Sequence, residues 1–268
     1  MQVIQSYQTR DIATVFLGRT DLGNEVEFVE SIQPPLSRSD KEVVIVSTLV
    51  GCPVGCMFCD AGGFYRKKLV VEEILEQIDW VVESRYQSRQ IPAKKFKIQF
   101  ARMGEPSLND AVLDVLEQLP SRYDAPGLLP SLSSVAPKGR DMFFGRLQHI
   151  KEKLYPDNFQ LQFSIHSTDQ RQKRLWIPIE TWSFERIAAY GFDFVKKGSK
   201  KISLNFALSK ETIVDPGVIA MYFDPNIFLI KITPVNPTYR AAESNICSGV
   251  EADSLPYHPS LIKELKQL

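Results

Sequence analysis

The sequence has little of what marks several common protein classes. Only four of its 268 residues are cysteine. That is too few for a disulfide-stapled scaffold, and a chain of this length can bury a full core without disulfides. Long hydrophobic runs are missing. The longest, from Val43 to Cys52, is broken by Ser47 and Thr48 and is too short to span a bilayer. The opening stretch, MQVIQSYQTRDIATVF, lacks the basic segment and apolar core of a signal peptide. Net charge is also missing: 32 basic residues balance 32 acidic ones, so the whole chain has no electrostatic footprint for nucleic acid. Local basic clusters remain at Arg66-Lys67-Lys68, at Lys94, Lys95 and Lys97, and at Lys196, Lys197, Lys200 and Lys201; solvated surface is the simplest reading of each. No internal repeat, low-complexity segment, nicotinamide fingerprint, P-loop or HExxH motif occurs. These absences predict a cytoplasmic protein, not attached to a membrane, whose cysteines serve a metal or catalysis before disulfides.

What is present is alternation of element types. Lys41–Leu49 is β-branched and reads as a buried strand. Strands are also expected at 95–101, 128–134, 159–166, 201–208 and 226–235, and helices at 71–88, 110–119, 144–154, 184–197, 215–223 and from 258 onward. Repeated strand–helix units imply an α/β fold with a parallel sheet and right-handed crossovers. Periodicity leaves open whether six units form an open doubly wound sheet or an incomplete barrel. Both place active sites at the C-terminal strand ends. Residues 1–40 are expected to add an N-terminal segment with a short strand or hairpin.

The first of those strand ends runs into GCPVGCMFCDAGGF, with Cys52, Cys56 and Cys59 spaced by three and then two residues. Three thiolates on one short loop can converge on a metal centre, and soft thiolates select zinc, copper(I) or iron–sulfur clusters. A [4Fe–4S] cluster ordinarily takes four cysteines, so three leave one iron open for chemistry. A zinc site completed by Cys247 or a histidine is the alternative. Cys247 lies far away in sequence and otherwise reads as a buried small hydrophobe.

CxxxCxxC with an aromatic, Phe58, before the last cysteine resembles the radical S-adenosylmethionine (radical SAM) signature. The resemblance implies a partial (β/α)6 TIM-like barrel. It also implies a [4Fe–4S] cluster on the three cysteines and S-adenosylmethionine on the open iron, cleaved to a 5′-deoxyadenosyl radical. A reductant such as flavodoxin or ferredoxin is then expected as partner. Later strand ends sharpen the match. Arg102-Met103-Gly104-Glu105-Pro106, with Leu108-Asn109, is similar to the MGEP-x-LN segment of the adenine carbon-2 methylases of ribosomal and transfer RNA and of their carbon-8 resistance relatives. Ser131–Ser134 is similar to that family's TLSTSG, Ser164-Ile165-His166 to its SLH, and Thr233–Pro237 to its IPWNP. Arg174–Ile179 is similar to the segment following SLH. By this resemblance Gly104 lets the backbone approach a ligand, Glu105 accepts from the ammonium of S-adenosylmethionine, and Ser133, Ser164, Ile165, His166 and Asn236 contact the cofactor. Glu27 matches a glutamate assigned as proton acceptor.

The chain departs from that family in four ways. Val43–Thr48 lacks the cysteine expected shortly before the cluster motif. The methyl-carrying cysteine after the last strand has no counterpart before Leu268. The N-terminal RNA-binding extension is missing, and the net charge is zero. Residues 41–268 are therefore expected to form a radical SAM core incomplete at its C-terminus. RNA is a possible substrate, and methyl transfer is in doubt. A radical SAM enzyme of another substrate, or a non-catalytic cluster-containing RNA-binding protein, is the alternative.

Overall fold

The computed structural model describes residues 1–9, 12–86, 88–249 and 259–267. In chain order the strands are β1 (Gln2–Thr9), β2 (Ala13–Arg19), β3 (Glu25–Ile32), β4 (Glu42–Val46), β5 (Leu49–Gly51), β6 (Tyr65–Lys68), β7 (Phe96–Phe100), β8 (Leu128–Ser134), β9 (Gln160–Ser164), β10 (Ile202–Leu208) and β11 (Phe228–Pro234). The helices are α1 (Val71–Arg85), α2 (Ala111–Arg122), α3 (Asp141–Leu154), α4 (Gln170–Trp176), α5 (Phe184–Phe194), α6 (Pro216–Tyr222), α7 (Tyr239–Glu243) and α8 (Pro259–Leu265). None is long and apolar enough to cross a membrane.

One nine-stranded sheet runs β1-β2-β3-β4-β7-β8-β9-β10-β11. Its last six strands are parallel and adjacent in chain order, as repeated strand–helix units require. Among the described residues β11 pairs only with β10, so the parallel run is a partial barrel and not a closed one. On the outer edge of β4, β1 to β3 continue the sheet in antiparallel fashion. These N-terminal strands exceed the short hairpin expected there, and the first begins at residue 2. β1 is exposed along nearly its whole length, so no buried face wrote an alternating pattern into its sequence.

Alternate residues of the parallel strands build the core. Phe96, Ile98 and Phe100, then Leu161 and Phe163, then Ile202, Leu204 and Phe206 are at most 1% exposed and join Ile74, Ile78 and Val81 of α1. Each such side chain contributes about 1.5–3 kcal/mol on burial. The cysteine loop follows the C-terminal end of β4 in the chain. The expected strand 41–49 breaks there because Gln77 of α1 captures Ser47: Gln77 Oε1 accepts from Ser47 N at 2.8 Å, and Gln77 Nε2 donates to Ser47 O at 3.0 Å. Thr48 and Leu49 then bond to Met103 O. The chain restarts as β5, which pairs with β6 in a separate two-stranded ladder. The cysteine loop is the connection between those two strands.

Candidate active site

The loop from Cys52 to Phe64 is fixed by two glycines. Gly51 has φ +76°, and a Cβ there would lie 2.1 Å from Phe64 O, which accepts from Cys52 N at 2.8 Å. Gly55, at φ +72°, lies against Gly62. Left-handed backbone at Gly51 and Gly55 costs glycine little and other residues more.

A second segment, after β11, clamps the loop from outside. Thr238 Oγ1 donates to Phe58 O at 2.9 Å, and Ser244 Oγ donates to Met57 O at 3.1 Å. Arg240 donates to Cys56 O and Gly55 O at 3.2 and 3.3 Å. Asp60 accepts from the Tyr239 and Arg240 backbone amides. α4 adds Met57 N donating to Trp176 O at 3.0 Å. Asp60, Thr238, Arg240 and Ser244 were not anticipated from sequence, because the partners lie some 180 residues apart and no spacing rule joins them.

Cys52, Cys56 and Cys59 are half-buried free thiols. Cys52 and Cys56 pack with Met57 and Phe58 against an apolar cluster of Val54, Trp176, Ile177, Ala207 and Val235. Burial, opposed by a backbone bond from Val54 and reinforced by Glu105 and Cys59, pushes the Cys52 thiol up to about 11. Burial, then Cys59, Cys52 and Glu105, raises Cys56 further. The three thiols and Glu105 thus share one electrostatic neighbourhood, and ionising them calls for a cation. Among the described residues no three His, Cys, Asp or Glu side chains close on a single ion; a cubane takes its thiolates on separate irons. Cys247 is exposed, not buried as its residue type suggested, because neighbouring Ile246 takes the place against the apolar cluster.

The other predicted residues lie at the same ends of the strands. Glu105 is 5% exposed. Its carboxylate accepts from Ser107 N at 3.0 Å, Ser107 Oγ at 2.7 Å and Val135 N at 2.8 Å, tying the end of β7 to the end of β8. Burial nevertheless raises its pKa, outweighing those bonds, and among the described residues no cation pairs with it. Gly104, φ +100°, has a steric requirement of its own: a Cβ would meet Leu49 Cγ at 2.5 Å. Ser133 follows one strand over, and its Oγ is buried with no hydrogen-bond partner.

His166 lies just beyond β9, in the left-handed region, φ 63°. Its Nδ1 accepts from Ala207 N at 3.0 Å, so the ring proton sits on Nε2. Burial, with Lys173 adding, lowers its pKa to about 3. The ring meets Phe58 edge-on, centroids 4.9 Å apart, which brings His166 to the cysteine loop. Ser164 is half-buried, in register with Asn205. Ile165 sends its side chain into the core at 1% exposure. Asn236 is exposed, and its carbonyl accepts from Thr238 N at 2.8 Å. Glu27 stands apart on β3, paired with Arg102 at 3.0 Å (Nε) and 2.8 Å (Nη2), one residue before Met103.

These features suit the implied groups. A three-thiol loop, a buried carboxylate without a cation and a buried hydroxyl without a partner are what a cluster, an ammonium and a ribose would complete.

No protein-family profile matches the chain. Over 253 residues, 88% of the chain, it is 29% identical to a probable dual-specificity RNA methyltransferase RlmN of Desulfitobacterium hafniense strain Y51, of which it covers 66%. A radical SAM methyltransferase from Sphaerobacter thermophilus superposes with TM-score 0.68 at 20% identity, covering 89% of this chain and 68% of that one. TYW1, solved with a lysine-pyruvate adduct, superposes with TM-score 0.52 at 15% identity, covering 97% of this chain and 84% of that one. Fold and cysteine loop together make the chain similar to radical SAM proteins, and the fold is a partial TIM-like barrel like that of the Sphaerobacter structure. In sequence the chain is similar to the RlmN-type proteins, and it spans 66% of the length of the Desulfitobacterium protein.

Proposed function

We propose that this chain carries a [4Fe–4S] cluster on Cys52, Cys56 and Cys59, binds S-adenosylmethionine at the strand ends and releases a 5′-deoxyadenosyl radical toward an RNA substrate. The observation that carries the reading is Glu105, a buried carboxylate with no cation of its own, in the electrostatic neighbourhood of three thiols. When bound, the cluster supplies the electron that cleaves S-adenosylmethionine, drawn from a flavodoxin or ferredoxin.

The chain's residues then have separable tasks. Glu105 offsets the ammonium of the cofactor, and the Ser107 and Val135 donors hold its carboxylate in place. Ser133 Oγ offers a hydrogen bond to a ribose hydroxyl. His166 stays neutral and offers Nε2–H, its other nitrogen being taken by Ala207. Apolar Val54, Trp176 and Ile177 keep water from the loop. Glu27, oriented by both Arg102 nitrogens, accepts a proton from the substrate. RNA is supported by the name of the methyltransferase relative and by β6, whose exposed Arg66, Lys67 and Lys68 leave the cysteine loop as a cationic edge.

A second reading, radical chemistry without methyl transfer, is favoured by one feature: Val43–Thr48 holds no thiol. One experiment covers the shared step. Anaerobically reconstituted, reduced protein should form 5′-deoxyadenosine from S-adenosylmethionine, and Cys56→Ala should form none. Equal yields from the two proteins would sink the proposal; a methylated RNA product would decide between the two readings.

A further inference from the structure

Parallel sheets are ordinarily apolar on both faces, since both are covered. This one is not. The helix-facing residues are apolar, while the intervening positions on the inner face carry Lys97 and Gln99 on β7, Gln162 on β9, Asn205 on β10 and Lys231 on β11. Lys231 Nζ donates to Gln162 Oε1 at 3.0 Å. Because β10 lies between those strands, the side chain reaches across the inner face over Asn205, its register partner.

Lys97 comes from the other side of the barrel, level with Val43 of β4 and Leu129 of β8. Burial brings its ammonium down to about 8, and repulsion from Lys41 and Lys231 adds to the effect. Lys231 is lowered as well, by burial and then by Lys41. By register and alternation Lys97 and Lys231 stand on the same inner face from near opposite ends of the parallel run, and Lys41, two residues before Val43, precedes β4 on that face. Lys41 donates to the Gln33 side-chain oxygen and Lys231 to Gln162. Among the described residues none of the three forms an ion pair with a carboxylate, and Lys97 has no hydrogen-bond partner. The carboxylates on the same face of β3, Glu25 and Glu27, are taken by Arg19 and Arg102.

Gathering like charges in a partly dry place, without a counter-charge, costs free energy. An anion would reverse the sign of that term. We propose that Lys41, Lys97 and Lys231 form a binding site for a phosphate group of the substrate on the inner face of the barrel. Lys97 lies four residues before Ala101, so at about 3.3 Å per residue the site is roughly 13 Å below the strand ends. The phosphate is thus an anchor and not the reacting group. Glutamine and asparagine amides beside the lysines supply further donors. The phosphate could belong to an RNA backbone or to a small phosphorylated molecule, and both present the same chemistry.

The inference deepens the proposed function, on which it rests for the word substrate. Its test needs neither cluster nor S-adenosylmethionine, so a failure to form 5′-deoxyadenosine leaves it standing. Inorganic phosphate, against chloride at equal ionic strength, should raise the melting temperature of the protein. The rise should vanish in Lys97→Met and Lys231→Met and survive in Lys97→Arg. Lys97→Met should also melt higher than the parent in chloride, because it removes an unpaired, partly desolvated charge. A short oligoribonucleotide should bind at least tenfold more weakly to the double Met variant if the phosphate is that of RNA. If only inorganic phosphate loses affinity, the source is a small phosphorylated molecule. No phosphate-specific rise in the parent, or an equal rise in both Met variants, would overturn the site.

Discussion

Glu105 shows how a single residue can be legible in type and hidden in detail. The segment Met103–Pro106 pointed to it, and the structure adds that three donors hold a carboxylate which burial still disfavours. Glu105→Gln should keep the fold and the cluster while weakening S-adenosylmethionine binding by about 1.5–3 kcal/mol, the range for a hydrogen bond to a charged group. Equilibrium dialysis reads this, and unchanged affinity would remove Glu105 from the cofactor site. His166 allows a different prediction. Its folded pKa of about 3 lies below the unfolded value near 6.5, so the unfolded chain binds the extra proton between those limits. The resulting stability is fully present above pH 6.5 and is lost as pH falls toward 3, with a total on the order of 5 kcal/mol. Denaturant melts at several pH values should show this slope, and His166→Gln should flatten it. An unaltered slope in the variant would assign the effect elsewhere. Gly104 was legible as a necessary glycine, but its contact with Leu49, within 2.5 Å of a would-be Cβ, is a tertiary one that no local pattern carries.

At the scale of elements, strands that bury one face were readable: β8 falls on the expected residues 128–134, and β7, β9 and β10 lie within theirs. β1 was not, because it buries almost nothing. The break at Ser47-Thr48 was hidden as well, since Gln77 that causes it sits 30 residues away. The short helix α7 was equally illegible, yet it is what steadies the cysteine loop. Arg240→Met deletes two bonds from a charged donor to Gly55 O and Cys56 O. We expect the reconstituted variant to lose iron to a chelator several-fold faster than the parent, read from the bleaching of its visible absorbance. A matching rate would mean that Thr238, Ser244 and the backbone bonds to Asp60 suffice.

The molecule as a whole is a partial barrel with an apolar outer layer and a polar inner face. The outer layer follows from alternation in the sequence, and it accounts for the fold. The inner face was present in the same alternation, as Lys97, Gln99, Gln162 and Lys231, but side chains from distant strands of the run face one another only once the sheet curves. Around the mouth of this barrel the cysteine loop, Glu105, Ser133 and His166 come from different strand ends, which is how a barrel assembles a site from residues distant in sequence.

The claim that these parts bind a cluster and S-adenosylmethionine together is tested most directly by electron paramagnetic resonance. Anaerobically reconstituted protein, chemically reduced, should show the signal of a reduced [4Fe–4S] cluster, and adding S-adenosylmethionine should shift its g values as the cofactor reaches the open iron. A protein that binds zinc without iron or sulfide, or a cluster signal indifferent to S-adenosylmethionine, would contradict the account.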